Sequence, residues 1–333
     1  MRAVSLVEAE RLEVVDLPAP EPGPGELLLR VSACGICGSD LTSYKRGLFI
    51  GVPGHEVAGV VEAAGTDAGW QPGATAVLQP GGGCGACDEC RGGGYHRCIE
   101  SLTGGGTVRP GGYAELMAVR ADRLRPLPDG LEPELACLAE PLSVAIHGIR
   151  RAGVRAGEDA IVLGLGSIGL LATAALRWLG AGRVVGVDPV EVRRELASGL
   201  GAEAALPRAR DVRAELDGAP VVLECSGQPE AIQQAIDLAT PGGRVALLGI
   251  AVAEVTVIPV FWITREITVS GSINSRFEDF DEALRLLAAR PEVGRIVTRR
   301  IALDEVPATF EALLHPSGVG KVVIDPRLSG HGK

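Results

Sequence analysis

One nine-residue stretch constrains the fold more than any other. Ile161-Val162-Leu163-Gly164-Leu165-Gly166-Ser167-Ile168-Gly169 sets three glycines at G-x-G-x-x-G spacing, directly after an apolar run and ahead of a helix-forming one. Glycines so spaced permit a tight turn, a close backbone approach to a pyrophosphate and close packing of helix on strand. The helix N-terminus then attracts the phosphate charge. The second apolar run, Arg183 to Val187, ends at Asp188, near the ~20-residue offset at which a carboxylate binds adenine-ribose hydroxyls. That carboxylate would repel a 2′-phosphate, so NAD is expected rather than NADP, although Arg193 and Arg194 nearby keep NADP open.

The surrounding texture agrees with this reading. Apolar runs at 160–163, 183–187, 220–223, 244–248 and 267–271 alternate with helix-length segments, the pattern of a parallel, doubly wound sheet. Before residue 145 or so, short β-branched runs are separated by Gly and Pro clusters, which predicts a β-rich region with irregular loops. At 333 residues two domains are expected. After Asn274 an amphipathic helix is predicted over Phe277 to Ala289, followed by strand candidates at 296–298, 301–303 and 321–324. That tail is short for a core of its own and is expected to return to the first domain.

A net charge of −10 with no basic tract disfavours nucleic acid or an anionic membrane as partner. The most apolar stretch, Ala160 to Leu179, is interrupted by four glycines and Arg177 and reads as a buried strand–turn–helix rather than a membrane span. Acidic residues follow the start too soon for a secretory signal, so the cytoplasm is the expected compartment. Thiols stay reduced there, and the eight cysteines then argue for metal or catalysis before disulfides.

Four of them, Cys84, Cys87, Cys90 and Cys98, crowd into one glycine-rich segment at C-x2-C-x2-C-x7-C spacing. Four soft ligands leave no room for a substrate, so a closed tetrahedral structural zinc is expected; an iron–sulfur cluster could also use four thiolates. A second set is scattered: Cys37 in Cys37-Gly38-Ser39-Asp40, His55 and Glu56 after Gly54, and Glu140 in Glu140-Pro141-Leu142-Ser143. Three protein ligands with an open position would make a catalytic zinc site, although spacing alone does not pick it out. His147, on an apolar stretch, reads as a hydrogen-bonded helix residue.

These segments, with Glu224-Cys225-Ser226-Gly227, resemble the zinc-containing medium-chain dehydrogenase/reductase family over nearly the whole chain, and within it the sorbitol dehydrogenase-like polyol enzymes. The resemblance implies an α/β fold: a GroES-like β-rich catalytic domain (1–145 and 280–333, with a zinc lobe at 81–98) and a Rossmann domain (146–279). It implies Cys37 and His55 as zinc ligands, Glu56 as third ligand or exchanging with water, and Glu140 bound directly or through water. Asp40 would accept a hydrogen bond from His55, and Ser39 would sit beside the substrate oxygen. Ile168, Asp188 and Arg193 match NAD-contacting positions, while Leu248-Gly249-Ile250 and Ser272-Ile273-Asn274 match segments flanking the nicotinamide. The implied chemistry is zinc acting as a Lewis acid on an alcohol whose hydride passes to NAD.

Departures bear on the substrate. Many alcohol and threonine dehydrogenases of the family carry histidine where this chain has Thr42, which makes threonine a poorer expectation and leaves proton release to Ser39, Thr42 or water. Polyol enzymes usually have tyrosine at Ser43 and Arg-Tyr at Asn274-Ser275, so sorbitol itself is not expected. A polyol, sugar or cyclitol-like secondary alcohol is. The same site run backwards would be a ketone reductase, and a non-catalytic dinucleotide-binding protein is the third reading, disfavoured by intact metal ligands. The apolar edge candidate Glu266 to Gly271 predicts pairing with a second copy, giving a homodimer or homotetramer.

Overall fold

Alternating strands and helices in the middle of the chain build an all-parallel six-stranded sheet. Its order is Ala204–Leu206, Val184–Val187, Ala160–Leu163, Ala219–Glu224, Ala239–Leu247, Thr268–Gly271. The winding reverses beside Ala160–Leu163, the switch point at which doubly wound sheets bind ligands. Ala160–Leu163 and Val184–Val187 are buried along their whole length, as strands covered on both faces require. Ile161, Val185, Val222 and Val245 pack with Ile236 and Leu238 of helix Pro229–Leu238. Burial of each branched side chain contributes roughly 1.5–3 kcal/mol.

Two strands differ from expectation. Ala204–Leu206 is only three residues long and alanine-rich, so neither propensity nor alternation announces it. Ala239–Leu247 begins five residues ahead of the predicted 244, running through Pro241, Gly242 and Gly243. The longest apolar stretch resolves into strand Ala160–Leu163 and helix Ser167–Trp178. Among the described residues no helix is long and apolar enough to cross a membrane.

The computed structural model describes residues 1–102, 108–109, 111–315 and 318–329. Two units divide the chain: 1–140 with 287–317 and 321–333, and 141–286 with 318–320. The divisions fall at 140/141 and 286/287, where the sequence suggests about 145 and 280; residues 316, 317 and 330–333 of the tail lie outside the described residues.

In the first unit Arg2–Glu8 pairs antiparallel with Arg11–Asp16. A larger sheet runs Val297–Ile301, Lys321–Ile324, Glu26–Gly35, Glu56–Ala64, Thr75–Leu78, Leu124–Pro126. The predicted strands at 296–298 and 301–303 are in fact one strand, Val297–Ile301, followed by a 3-10 turn at Leu303–Glu305. Its neighbour Lys321–Ile324 pairs antiparallel with the end of Glu26–Gly35, Ile324 opposite Cys34.

Helix Phe277–Ala289 forms as predicted, with Phe280, Ala283, Leu284 and Leu287 buried. Its Asp279 is also buried. The carboxylate lies 2.8 Å from His147 Nδ1 and 2.5 Å from Arg150 Nη1, and it accepts the Arg276 N–H at 2.9 Å. Burial opposes ionisation, but the hydrogen bonds from His147 and Arg276 and the nearby charges win, and the pKa falls below its ordinary 3.8. A depressed carboxyl stabilises the fold above its unfolded pKa and loses that contribution as pH falls through the folded value. Asp279→Asn should therefore cost about 2 kcal/mol at pH 7. In urea melts the gap to the parent should narrow below pH ~4; equal midpoints at pH 7 would contradict this.

Candidate metal centre and dinucleotide site

Cys37 sits at the N-cap of helix Gly38–Arg46, and Asp40, three residues on, accepts the Cys37 N–H at 2.9 Å through Oδ2. This is capping-box geometry, and it fixes the turn that presents the thiol. His55 is reached through Gly54, whose φ of +105° favours glycine and whose absent Cβ would lie 2.5 Å from Tyr113 Cδ1 and 2.8 Å from Cys34 Sγ. Glu56 opens strand Glu56–Ala64 and is fully buried. The Cys37 sulfur, a His55 ring nitrogen and a Glu56 carboxylate oxygen all lie within 4.8 Å of one another. Glu140 is not one of these three ligand atoms, yet it is close enough for its carboxyl to be shifted by His55 and Glu56.

One expected contact differs. His55 Nδ1 is 3.6 Å from Asp40 Oδ1, an ion-pair separation rather than a hydrogen bond. Asp40 Oδ2 is instead held by the Cys37 N–H and by the Tyr113 hydroxyl, which donates at 2.8 Å. Thr42 donates its hydroxyl to the Gly38 carbonyl at 3.1 Å, a bond within its own helix.

Lys321, which sequence pattern marks only as a strand residue, enters the site from strand Lys321–Ile324. This buried lysine lies 2.6 Å from Glu56 Oε1 and 2.5 Å from Oε2, and it donates to the Ile36 carbonyl at 2.8 Å. The ammonium is angled toward Oε1, leaving Oε2 buried without a hydrogen bond. Gly35 makes the space: a Cβ there would be 1.9 Å from Glu56 Oε2 and 2.8 Å from Lys321 Cε.

The electrostatics ask for another cation. Burial pushes the Glu140 carboxyl up to about 7, with His55 opposing and Glu56 adding to the rise. Burial would lower the His55 pKa, but Asp40, Cys37 and Glu140 together raise it well above the usual range. A thiol, an imidazole and a carboxylate converging amid surplus acid fit a divalent, borderline-soft ion such as zinc.

The four lobe cysteines also converge, their sulfurs all within 4.8 Å. The N–H groups of Ala86 and Cys87 point at Cys84 Sγ, at 3.4 and 3.3 Å. This fits a thiolate-bound metal, because charged acceptors gain most from such donors. Cys34 and Cys137 belong to neither set; burial raises the pKa of each, Cys137 to about 12, which keeps them protonated and inert. No disulfide joins any of the eight cysteines, all of which are described residues.

In the second unit Gly164 turns at φ +86°, and a Cβ on Gly169 would lie 1.8 Å from the Gly164 carbonyl oxygen. Gly166 caps helix Ser167–Trp178, and Ser167 donates to the Gly320 carbonyl at 3.2 Å. Asp188, at the end of Val184–Val187, accepts the Leu165 N–H and the Val190 N–H, each at 2.8 Å, and so braces the glycine loop from below. Arg193 Nη1 stands 3.6 Å from Asp188 Oδ2, while Arg194 is committed to the Asp188 and Pro189 carbonyls.

Leu248 and Gly249 donate their N–H groups to the Glu224 carbonyl, and Ile250 is exposed. Ser272 donates its N–H to the Leu247 carbonyl, Ile273 is exposed, and Asn274 sits at φ +52°. Glu224, part of the Glu224-Cys225-Ser226-Gly227 segment, has a role there that the sequence pattern does not state. Fully buried, it accepts the N–H groups of Ser226 and Gly227 at 2.7 and 3.1 Å and fixes the turn facing Gly164.

Residues 23–129 match the alcohol dehydrogenase GroES-like domain family and residues 167–289 the zinc-binding dehydrogenase family. An L-threonine 3-dehydrogenase of Chromobacterium violaceum is 33% identical over 98% of this chain and all of its own length. A Sinorhizobium meliloti structure described as a zinc-binding dehydrogenase bound to NADP superposes with a TM-score of 0.88 at 32% identity, covering 98% of this chain and 99% of that one. The 2R,3R-butanediol dehydrogenase of Bacillus subtilis gives 0.87 at 27%, covering 98% and 99%. The chain belongs to the zinc-containing medium-chain alcohol dehydrogenase family. It is a zinc-type oxidoreductase with an NAD(P)-binding Rossmann domain, and its substrate is a small alcohol.

Proposed function

We propose that this protein oxidises a secondary alcohol flanked by further hydroxyls, in a polyol, sugar or cyclitol-like substrate, with NAD as hydride acceptor. The observation that carries the reading is the convergence of Cys37, His55 and Glu56 within 4.8 Å in a chain that also carries the glycine loop and Asp188. Cys37, His55 and Glu56 would hold the catalytic zinc, with Glu140 beside them as a further oxygen donor. Zinc bound there would supply Lewis-acid polarisation of the substrate oxygen, and the nicotinamide would accept hydride. Ser39 would take the proton released at that oxygen and pass it to water. Asp40 keeps the Cys37 turn in place, and Lys321 balances the Glu56 charge.

Two relatives are named for substrates, threonine and 2R,3R-butanediol, that share a secondary alcohol beside a second polar group. Threonine is the weaker candidate here, because Thr42 stands at the position of the histidine on which many relatives rely. The deciding test is NADH formation by zinc-loaded protein across polyols, cyclitols, sugars, L-threonine and simple secondary alcohols. Turnover confined to threonine or to unfunctionalised alcohols would refute the polyol assignment.

Asp188 favours NAD through repulsion of a 2′-phosphate, while Arg193, whose Nη1 faces the Asp188 carboxylate, would welcome that phosphate once the carboxylate is gone. Asp188→Ser should raise the ratio of kcat/KM for NADP over NAD at least about tenfold, the equivalent of ~1.4 kcal/mol. A ratio unmoved by the substitution would remove Asp188 as the discriminating group.

Four Cys-lobe thiolates would bind a second, structural zinc. Thr268–Gly271 ends the parallel sheet with one neighbour, Ala239–Leu247, and would pair with the same strand of a second copy to form a homodimer or homotetramer. Reduced thiols and the absence of basic tracts suit a cytoplasmic enzyme without nucleic-acid or membrane partners.

A further inference from the structure

We propose that Arg123 is a positioning residue for the four-cysteine lobe, its buried guanidinium offsetting the negative charge of the metal-bound thiolates and so slowing loss of the ion. The inference rests on the reading of the lobe as a tetrathiolate zinc site.

Arg123 closes the short turn before strand Leu124–Pro126 and is 4% exposed, a depth at which arginine is rare without a reason. Its Nη2 donates to the Gly83 carbonyl at 2.7 Å. Two consecutive glycines show how tightly the guanidinium and the lobe fit together. A Cβ on Gly82 would overlap Arg123 Nη1, 0.8 Å away, and a Cβ on Gly83 would lie 2.5 Å from Cys90 Sγ. The guanidinium thus presses on one residue of the loop and a metal-binding sulfur on the next.

Its charge is only partly spent. The Nε is buried and makes no hydrogen bond, and the nearest carboxylate, Asp122 Oδ1 at 3.5 Å, is already held by Arg120. The other arginines of the lobe point outward: Arg97 pairs with Glu89 and Arg91 with Asp88, all at least 47% exposed. Four thiolates around a divalent ion carry a net charge of −2, and a buried cation beside them is worth more than one at the surface because screening is weaker. Groups that act behind the ligands commonly change metal affinity 10–100-fold.

The test follows zinc loss to a chromogenic chelator from the full chain carrying Cys37→Ser, so that the lobe is the remaining zinc site. NADH binding and circular dichroism report on folding in parallel. One zinc per chain is expected before chelation; none would refute the tetrathiolate reading itself, independently of Arg123. Arg123→Met, which keeps volume and removes charge, should release zinc at least about tenfold faster, and Arg123→Lys should restore most of the difference. Equal rates for all three, or Lys as fast as Met, would overturn the proposal. Should Arg123→Met not fold, Gly82→Ala serves instead: it evicts the guanidinium while leaving its charge in the chain, and is expected to accelerate release. A parental rate in that variant would equally overturn it.

Discussion

Cys37→Ser is expected to lower kcat/KM by at least about a thousandfold and to take the zinc content from two ions per chain to one. Serine at neutral pH is a protonated hydroxyl, not a thiolate, so the Cys37/His55/Glu56 set loses its softest and most strongly charged donor. The Lewis-acid contribution then removed is several kcal/mol, and each 1.36 kcal/mol is a factor of ten in rate. Binding of NADH should survive, because Gly164, Gly166, Gly169 and Asp188 belong to the other unit. Metal analysis and NADH fluorescence titration check both halves. Retained turnover at one zinc per chain would sink the assignment of this site as catalytic.

The second large effect concerns stability. Lys321→Met should destabilise the protein by about 3–5 kcal/mol, the cost of leaving a buried charge without its partner. Glu56 has no exposure at all, and Lys321 is the cation touching its carboxylate in the described residues. The Lys321→Met/Glu56→Gln pair should recover part of that loss, since removing both charges avoids the orphan that either single change creates. Guanidinium melts of the metal-free chain measure this without interference from zinc binding. Additive losses in the double variant would mean that the two side chains do not act as a pair.

What could be read from the sequence divides along the range of the interactions. The glycine loop and the Cys84, Cys87, Cys90, Cys98 cluster are local patterns, in which spacing alone states the geometry. Cys37 and His55 lie 18 positions apart with no regular spacing between them, so their partnership became visible only through resemblance to a family. Lys321 is 265 residues from Glu56 and reads in sequence as an ordinary strand lysine. Tyr113 reaches Asp40 across 73 residues, and no periodicity connects them. Glu224 stands in a recognisable motif, but its service to the Ser226-Gly227 turn depends on backbone amides that have no sequence signature. Ala204–Leu206 escaped because the sheet imposes its extended form from outside.

The Lys321–Glu56 pair also makes one end of the larger sheet depend on a residue 265 positions away. Strands Glu26–Gly35 and Glu56–Ala64 are neighbours in sequence and can meet early, and closing so short a loop costs little entropy. Their pairing sets Glu56 opposite Gly35, while the counterion comes from Lys321, 265 residues further on. Without strand Lys321–Ile324 that carboxylate would lose the cation that touches it among the described residues, and contacts of such high sequence separation are the slow ones to form. A chain shortened ahead of that strand is therefore expected to leave the Glu56 carboxylate uncompensated beside Cys37 and His55.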